Sequence, residues 1–233
     1  MEKSRKTKAL LIVALVLAVA GMSLGFAAFS STLTISSSTT VTPNADDFKI
    51  KIYGFTSEEA AQTFISAGEL SEESISDEYS IALTSGNVND AENAVINNDN
   101  LSISNINGTF VSDESGISYL FLIINEGAYD AYFNIKDYLG SFGTINYNYK
   151  PTCIPVEGTT PELVEASCNG FEQAINFMDL SMNPLSKEND VYFLAKEDAI
   201  FMFIIIDYLL NYADGPFDVQ FKDLQLEFTT NPQ

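Results

Sequence analysis

The sequence predicts an all-β protein: a jelly-roll-like antiparallel β-sandwich with short inserted helices, preceded by an apolar N-terminal helix. Three observations lead there. Ile117 to Ile124 and Ile200 to Ile206 are apolar on both faces, as strands are when covered from two sides. Phe217, Val219 and Phe221, then Leu224, Leu226 and Phe228, alternate with polar neighbours, the period of half-buried strands. Turn-forming residues separate many such pieces over about two hundred residues, a length suited to one domain.

The chain starts differently. Lys3, Arg5, Lys6 and Lys8 form a basic cluster, and Ala9 to Ala20 then run without a polar residue. A basic cluster stays cytoplasmic and sends the rest of the chain outward. Gly25-Phe26-Ala27 fits the small-x-small rule of signal peptidase, with the cut between Ala27 and Ala28. The run from residue 9 to residue 29 is also long enough to cross a bilayer uncut. Two readings stay open: residues 1–27 as a cleaved signal peptide, or as part of a membrane anchor. Either way, 28–233 is read as one exported β-sandwich domain.

Residues 30–46 are rich in Ser and Thr, with Leu33, Ile35 and Val41 spaced among them; this composition favours an extended strand or a stalk. Phe48, Ile50 and Ile52 alternate with Lys49, Lys51 and Tyr53, a half-buried strand. The period then changes. Ala60, Ala61, Phe64 and Ile65 fall at helical spacing behind Thr56 or Ser57 as cap. Residues 57–100 are read as an insertion, a surface helix plus an acidic, Asn-rich loop with β-like pieces near Tyr79 to Leu83 and Ala94 to Ile96. The loop lacks the spacing of a calcium-binding EF-hand.

Leu101 to Phe110 is a candidate strand pair turned at Asn107-Gly108, since Asn-Gly supplies positive φ. Asn107-Gly108-Thr109 also matches a glycosylation acceptor. Asn125-Glu126-Gly127 is expected to turn the chain so that Ala128 to Ile135 returns as a hairpin. Cys153 and Cys168 are the only cysteines. In an exported chain an even pair implies a disulfide, and a short helix from Pro161 to about Cys168 would bring the sulfurs together. At Lys222-Asp223 the alternation slips by one residue, which places a bulge or tight turn there.

Charge and residue absences exclude several functions. From Ala28 onward 31 acidic residues face seven basic ones, a formal −24. Such a surface repels nucleic acid. The chain has no histidine, which removes Ser-His-Asp and Cys-His nucleophile systems and HExxH zinc sites. Carboxylates are too numerous for any pair to stand out as glycosidase machinery. No catalytic residue, metal site or cofactor is expected. Tyr147 and Tyr149, on one face of an alternating stretch, are either a sugar platform or an ordinary sheet face.

In these residues the chain resembles the TasA/camelysin group, exported proteins of Firmicutes and related bacteria whose signal peptide is cut by a dedicated signal peptidase. The likeness lies in the basic cluster, the apolar run and Gly25-Phe26-Ala27-Ala28-Phe29-Ser30-Ser31. It continues in Ile117 to Gly127, a strand ending in Asn-x-Gly, in Cys153 to Gly170, and in Asp214-Gly215-Pro216-Phe217. It covers the first thirty residues well and the rest in patches. The resemblance implies a jelly-roll sandwich and a structural role in the biofilm matrix. There an N-terminal strand completes the sheet of the next subunit; here Phe29, Leu33, Ile35 and Val41 would lie on that donor strand. The Cys pair and the acidic insertion depart from the fibre-forming members. The metalloprotease activity given to camelysin-type members is not carried over to a chain without histidine. The expectation is a non-catalytic surface or matrix protein whose partners are other copies of itself or cell-surface components, with the membrane contacted through residues 9–29 if uncut. The alternative is a monomeric, tethered binding module for carbohydrate or protein.

Overall fold

A computed structural model describes residues 49–97, 101–112, 114–136, 152–156, 168, 170–188, 191–208 and 216–229. The apolar N-terminal segment, the Ala27/Ala28 junction and the donor residues Phe29, Leu33, Ile35 and Val41 lie outside the described residues. So do Tyr147, Tyr149 and residues 161–167 of the helix expected from Pro161 to about Cys168.

The described chain is almost entirely antiparallel β-structure around a shared core, a β-sandwich-like all-β fold. One sheet has the order β12 (Phe171–Asp179), β14 (Ala199–Tyr208), β9 (Ser115–Asn125), β1 (Ile50–Phe55) and β2 (Ile75–Ser76), with β4 (Leu83–Ser85) also paired to β9. A second runs β13 (Tyr192–Leu194), β10 (Ala131–Ile135), β16 (Leu224–Thr229), β7 (Ser102–Ser104), β6 (Ala94–Ile96) and β3 (Tyr79–Ser80). A third, of four strands, runs β11 (Thr152–Pro155), β15 (Phe217–Gln220), β8 (Asn107–Phe110) and β5 (Val88–Asn89).

The two doubly apolar stretches are the central strands, β9 and β14, paired along ten residues from Ala199 opposite Ile124 to Tyr208 opposite Ser115. Odd residues of β9, Ile117 to Ile123, join even residues of β14, Ile200 to Tyr208, in the main core. Their other faces form a second core. Leu120, Leu122, Ile124, Ala199 and Phe201 pack there with Phe55, Ala61 and Phe64. The cover is α1 (Glu58–Ala67). Ser57 caps it by accepting from the Ala60 N–H at 3.1 Å, and Gly68 closes it in the left-handed region. The Phe64 ring lies 4.9 Å from that of Phe201. Ile65, expected on the buried stripe, is instead 45% exposed: a ten-residue helix on a flat sheet needs only one narrow apolar line.

With no Trp, Phe and Tyr fill the main core in two groups. Phe133, Phe177, Tyr192 and Phe228 meet at one end, with ring centroids 4.7–5.3 Å apart for the pairs in contact. Phe110, Phe171, Tyr208 and Phe217 meet at the other. Such pairs add to burial through edge-to-face and offset contacts.

The strand breaks where the alternation slips, without a bulge: residues 221–223 face residues 104–106, and the register is the same on both sides, Gln220 opposite Asn107 and Leu224 opposite Ile103. Lys222 and Asp223 are consecutive exposed residues between β15 and β16. Across the break the Phe221 N–H donates to the Ile106 carbonyl at 2.9 Å. The break, matched on the partner between Ile103 and Ile106, keeps Phe217, Val219, Phe221, Leu224, Leu226 and Phe228 all in the main core.

Two further sequence expectations are corrected. Ile117 to Ile135 is not a hairpin: β9 belongs to the first sheet, whereas β10 pairs with β13 and β16 in the second. The chain crosses between layers because β9, apolar on both faces, already has β1 and β14 as neighbours. Asn107-Gly108 is not a turn. It opens β8, which pairs with β15, while the positive φ falls on Asn105, at 62°. Gly108 is needed for space: a Cβ there would stand 2.6 Å from Ile117 Cδ1. The stretch from Glu69 to Asn97 supplies β2 to β6, and Ala94 and Ile96 are core residues.

Candidate functional site

Sheet margins are where a β-protein can add a strand. Among the described residues, β12 pairs with β14 alone, over nine residues from Phe171 opposite Tyr208 to Asp179 opposite Ile200. It is the longest strand at any margin of the three sheets. Its far end is already occupied by the chain's own return. Leu185 N–H donates to Phe177 O at 2.9 Å, and Asp179 N–H to Asn183 O at 2.9 Å. Asp179 Oδ1 holds that return by accepting from the Ser181 and Asn183 N–H groups. This leaves Phe171 to Asn176 as the open half.

That half carries polarity where the alternation would put apolar side chains. Phe171, Ile175 and Phe177 enter the main core, and Gln173 sits between them, buried. Asn176 is buried on the opposite face, across from Phe203. Among the described residues, Gln173 Oε1 and Asn176 Oδ1 have no hydrogen-bond partner. Burying an amide oxygen unpaired costs about 1–3 kcal/mol. One buried amide faces each side of β12, and a single added strand presents side chains to both faces.

The β14 end beside it is electrostatically unusual. Asp207 stands opposite Gly116 in register, and a Cβ at Gly116 would lie 2.6 Å from Asp207 Oδ1. Partial burial pushes the Asp207 carboxyl above the usual carboxylate range. Burial also pushes up the Tyr53 and Tyr119 hydroxyls; Tyr119 donates to the Glu92 carbonyl at 2.9 Å. These are isolated groups, each in its own packing environment. Among the described residues no three His, Cys, Asp or Glu side chains are placed to hold a metal ion.

The predicted cysteine pair forms a disulfide, Cys153–Cys168, with Cα atoms 5.7 Å apart. It ties β11, at the margin of the third sheet, to the chain just before β12. Sequence reasoning missed Gln173 and Asn176 entirely. The signal was present: two amides interrupt the run Phe171-Glu172-Gln173-Ala174-Ile175-Asn176-Phe177. It missed also a ring pair on the outer face of the second sheet, Tyr132 and Phe193, 5.3 Å apart.

No family model, curated protein or solved structure matches this chain. The resemblance to the TasA/camelysin group thus rests on the residue patches that carry it.

Proposed function

We propose that the chain is a non-catalytic extracellular structural protein of the cell surface or biofilm matrix. After cleavage between Ala27 and Ala28, the segment from Phe29 to Val41 of one copy adds to the β12 margin of the next. The observation that carries this reading is the Phe171 to Asn176 half of β12, paired on one side among the described residues and bearing two buried, unpartnered amide oxygens. Strand addition takes its affinity from backbone hydrogen bonds and its register from alternate side chains. The segment supplies both needs. Leu33 and Ile35 alternate with Thr32, Thr34 and Ser36. One face is therefore apolar, and the other carries hydroxyls that can donate to an amide oxygen.

The test is electron microscopy of purified Ala28–Gln233 over a range of concentrations. Fibres are expected, and they should be absent from the Leu33→Asp/Ile35→Asp protein. Monomers at every concentration would overturn the proposal.

A further inference from the structure

We infer that the outer face of the second sheet, around Tyr132 and Phe193, binds neutral polysaccharide. This goes beyond the assembly reading and stands or falls separately from it, because it uses a different sheet and no donor strand.

The face is built by alternation. In β13, Tyr192 and Leu194 point into the core and Phe193 points out, 42% exposed. In β10, Ala131, Phe133 and Ile135 point in, leaving Tyr132 and Asn134 outside. The register aligns Phe193, Tyr132 and Thr229 across three strands, and sets Asn134 against Glu227 in the next outward row. The surface therefore places two rings, tilted 52° to each other, beside a hydroxyl, an amide and an exposed carboxylate. Rows lie about 7 Å apart along a strand and strands about 5 Å apart, a scale that seats a sugar ring on the aromatics with its hydroxyls over the polar row.

Each part of this surface suits a sugar. An aromatic ring has a negative face, which attracts the weakly positive C–H groups on the flat side of a pyranose. Carboxylate, amide and hydroxyl groups bond to sugar hydroxyls as acceptors and donors. A stable protein interface covers about 800 Å² per partner, whereas Val95 is the other exposed large apolar side chain of this sheet among the described residues. Charge narrows the ligand further. The exported chain is formally −24, so a polyanionic polymer is repelled and a neutral one is not. Lys187 does not reverse this, since its Nζ donates to Asn134 Oδ1 at 3.2 Å and lies over the Tyr192 ring.

Affinity electrophoresis tests the inference. The protein as recovered from cells is run through native gels containing hydroxyethyl cellulose, laminarin, soluble starch or galactomannan, with alginate as the polyanion. At least one neutral polymer should slow migration while alginate does not. With no Trp in the chain, tyrosine emission should change on titrating that polymer. Phe193→Ala and Tyr132→Ala should each weaken retardation about tenfold, with unchanged far-UV circular dichroism. Phe193→Gln, at an exposed position of a marginal strand, provides a folded variant should either alanine change destabilise the sheet. Wild-type mobility unchanged in every neutral polymer would overturn the inference. So would equal retardation of Phe193→Gln, or stronger retardation by alginate than by any neutral polymer.

Discussion

Asn125 shows how one side chain fixes a crossing between layers. It ends β9 and is fully buried. Its Nδ2 donates to the Tyr129 carbonyl at 2.9 Å and to Leu194 O at 3.3 Å, while its Oδ1 accepts from the Gly127 N–H at 3.0 Å. The first and third bonds hold the connection to β10; the second reaches β13 of the other sheet. Asn125→Ala should therefore destabilise by about 2–3 kcal/mol in urea unfolding, more than a loop residue would. Asp207 carries a pH signature. Its folded pKa lies above the unfolded one, so folding favours the protonated acid. That contribution is present below the unfolded value, near pH 4, and is lost as pH rises through the folded pKa. Asp207→Asn should raise the melting temperature relative to wild type at pH 7, with the gap closing towards pH 3.5. Solvent screening keeps the gain below about 1 kcal/mol. A gap that is the same at both pH values would contradict this account of Asp207. Gln173 bears on the proposed assembly instead. Gln173→Leu removes an unpaired buried acceptor, so it should stabilise the monomer while weakening fibre formation.

At the scale of elements, the break at Lys222-Asp223 and the disulfide make the sharpest demands. Deleting Asp223 leaves two residues facing the partner's three and flips one half of the last strand pair. Either Phe217, Val219 and Phe221 or Leu224, Leu226 and Phe228 would then face water. At about 1.5–3 kcal/mol per side chain, that loss rivals a whole domain's stability, and the deletion variant should show no cooperative melting. The disulfide spans 15 residues; Cys153→Ser/Cys168→Ser should cost about 3 kcal/mol, read from denaturant midpoints with and without reductant. Elements set by local periodicity were legible in the sequence: α1 with its Ser57 cap, the doubly apolar β9 and β14, and the slip at Lys222-Asp223. Pairing was less legible. Asn125-Glu126-Gly127 has the composition of a hairpin turn, and nothing local says that the strand after it joins another sheet. Asn107-Gly108 likewise has turn composition, but its glycine answers to the Ile117 side chain, a contact nine residues away in sequence. The β12 margin was invisible for the same reason, since which strand lies outermost depends on all the others.

The whole molecule combines a strongly acidic chain, a double-layered apolar core and, among the described residues, a margin with two unpartnered amide oxygens. The charge keeps copies apart at long range, so assembly should strengthen with salt as the repulsion is screened. Light scattering at low and high ionic strength checks this, and fibres that dissolve as salt is added would contradict it. In the proposed assembly, short-range strand addition supplies the attraction at one place. Amide hydrogen exchange of Ala28–Gln233 across a concentration series locates that place most directly. The amides of Phe171 to Asn176 should exchange more slowly as concentration rises, together with those of Phe29 to Val41. Exchange at β12 that is the same at every concentration would contradict the account.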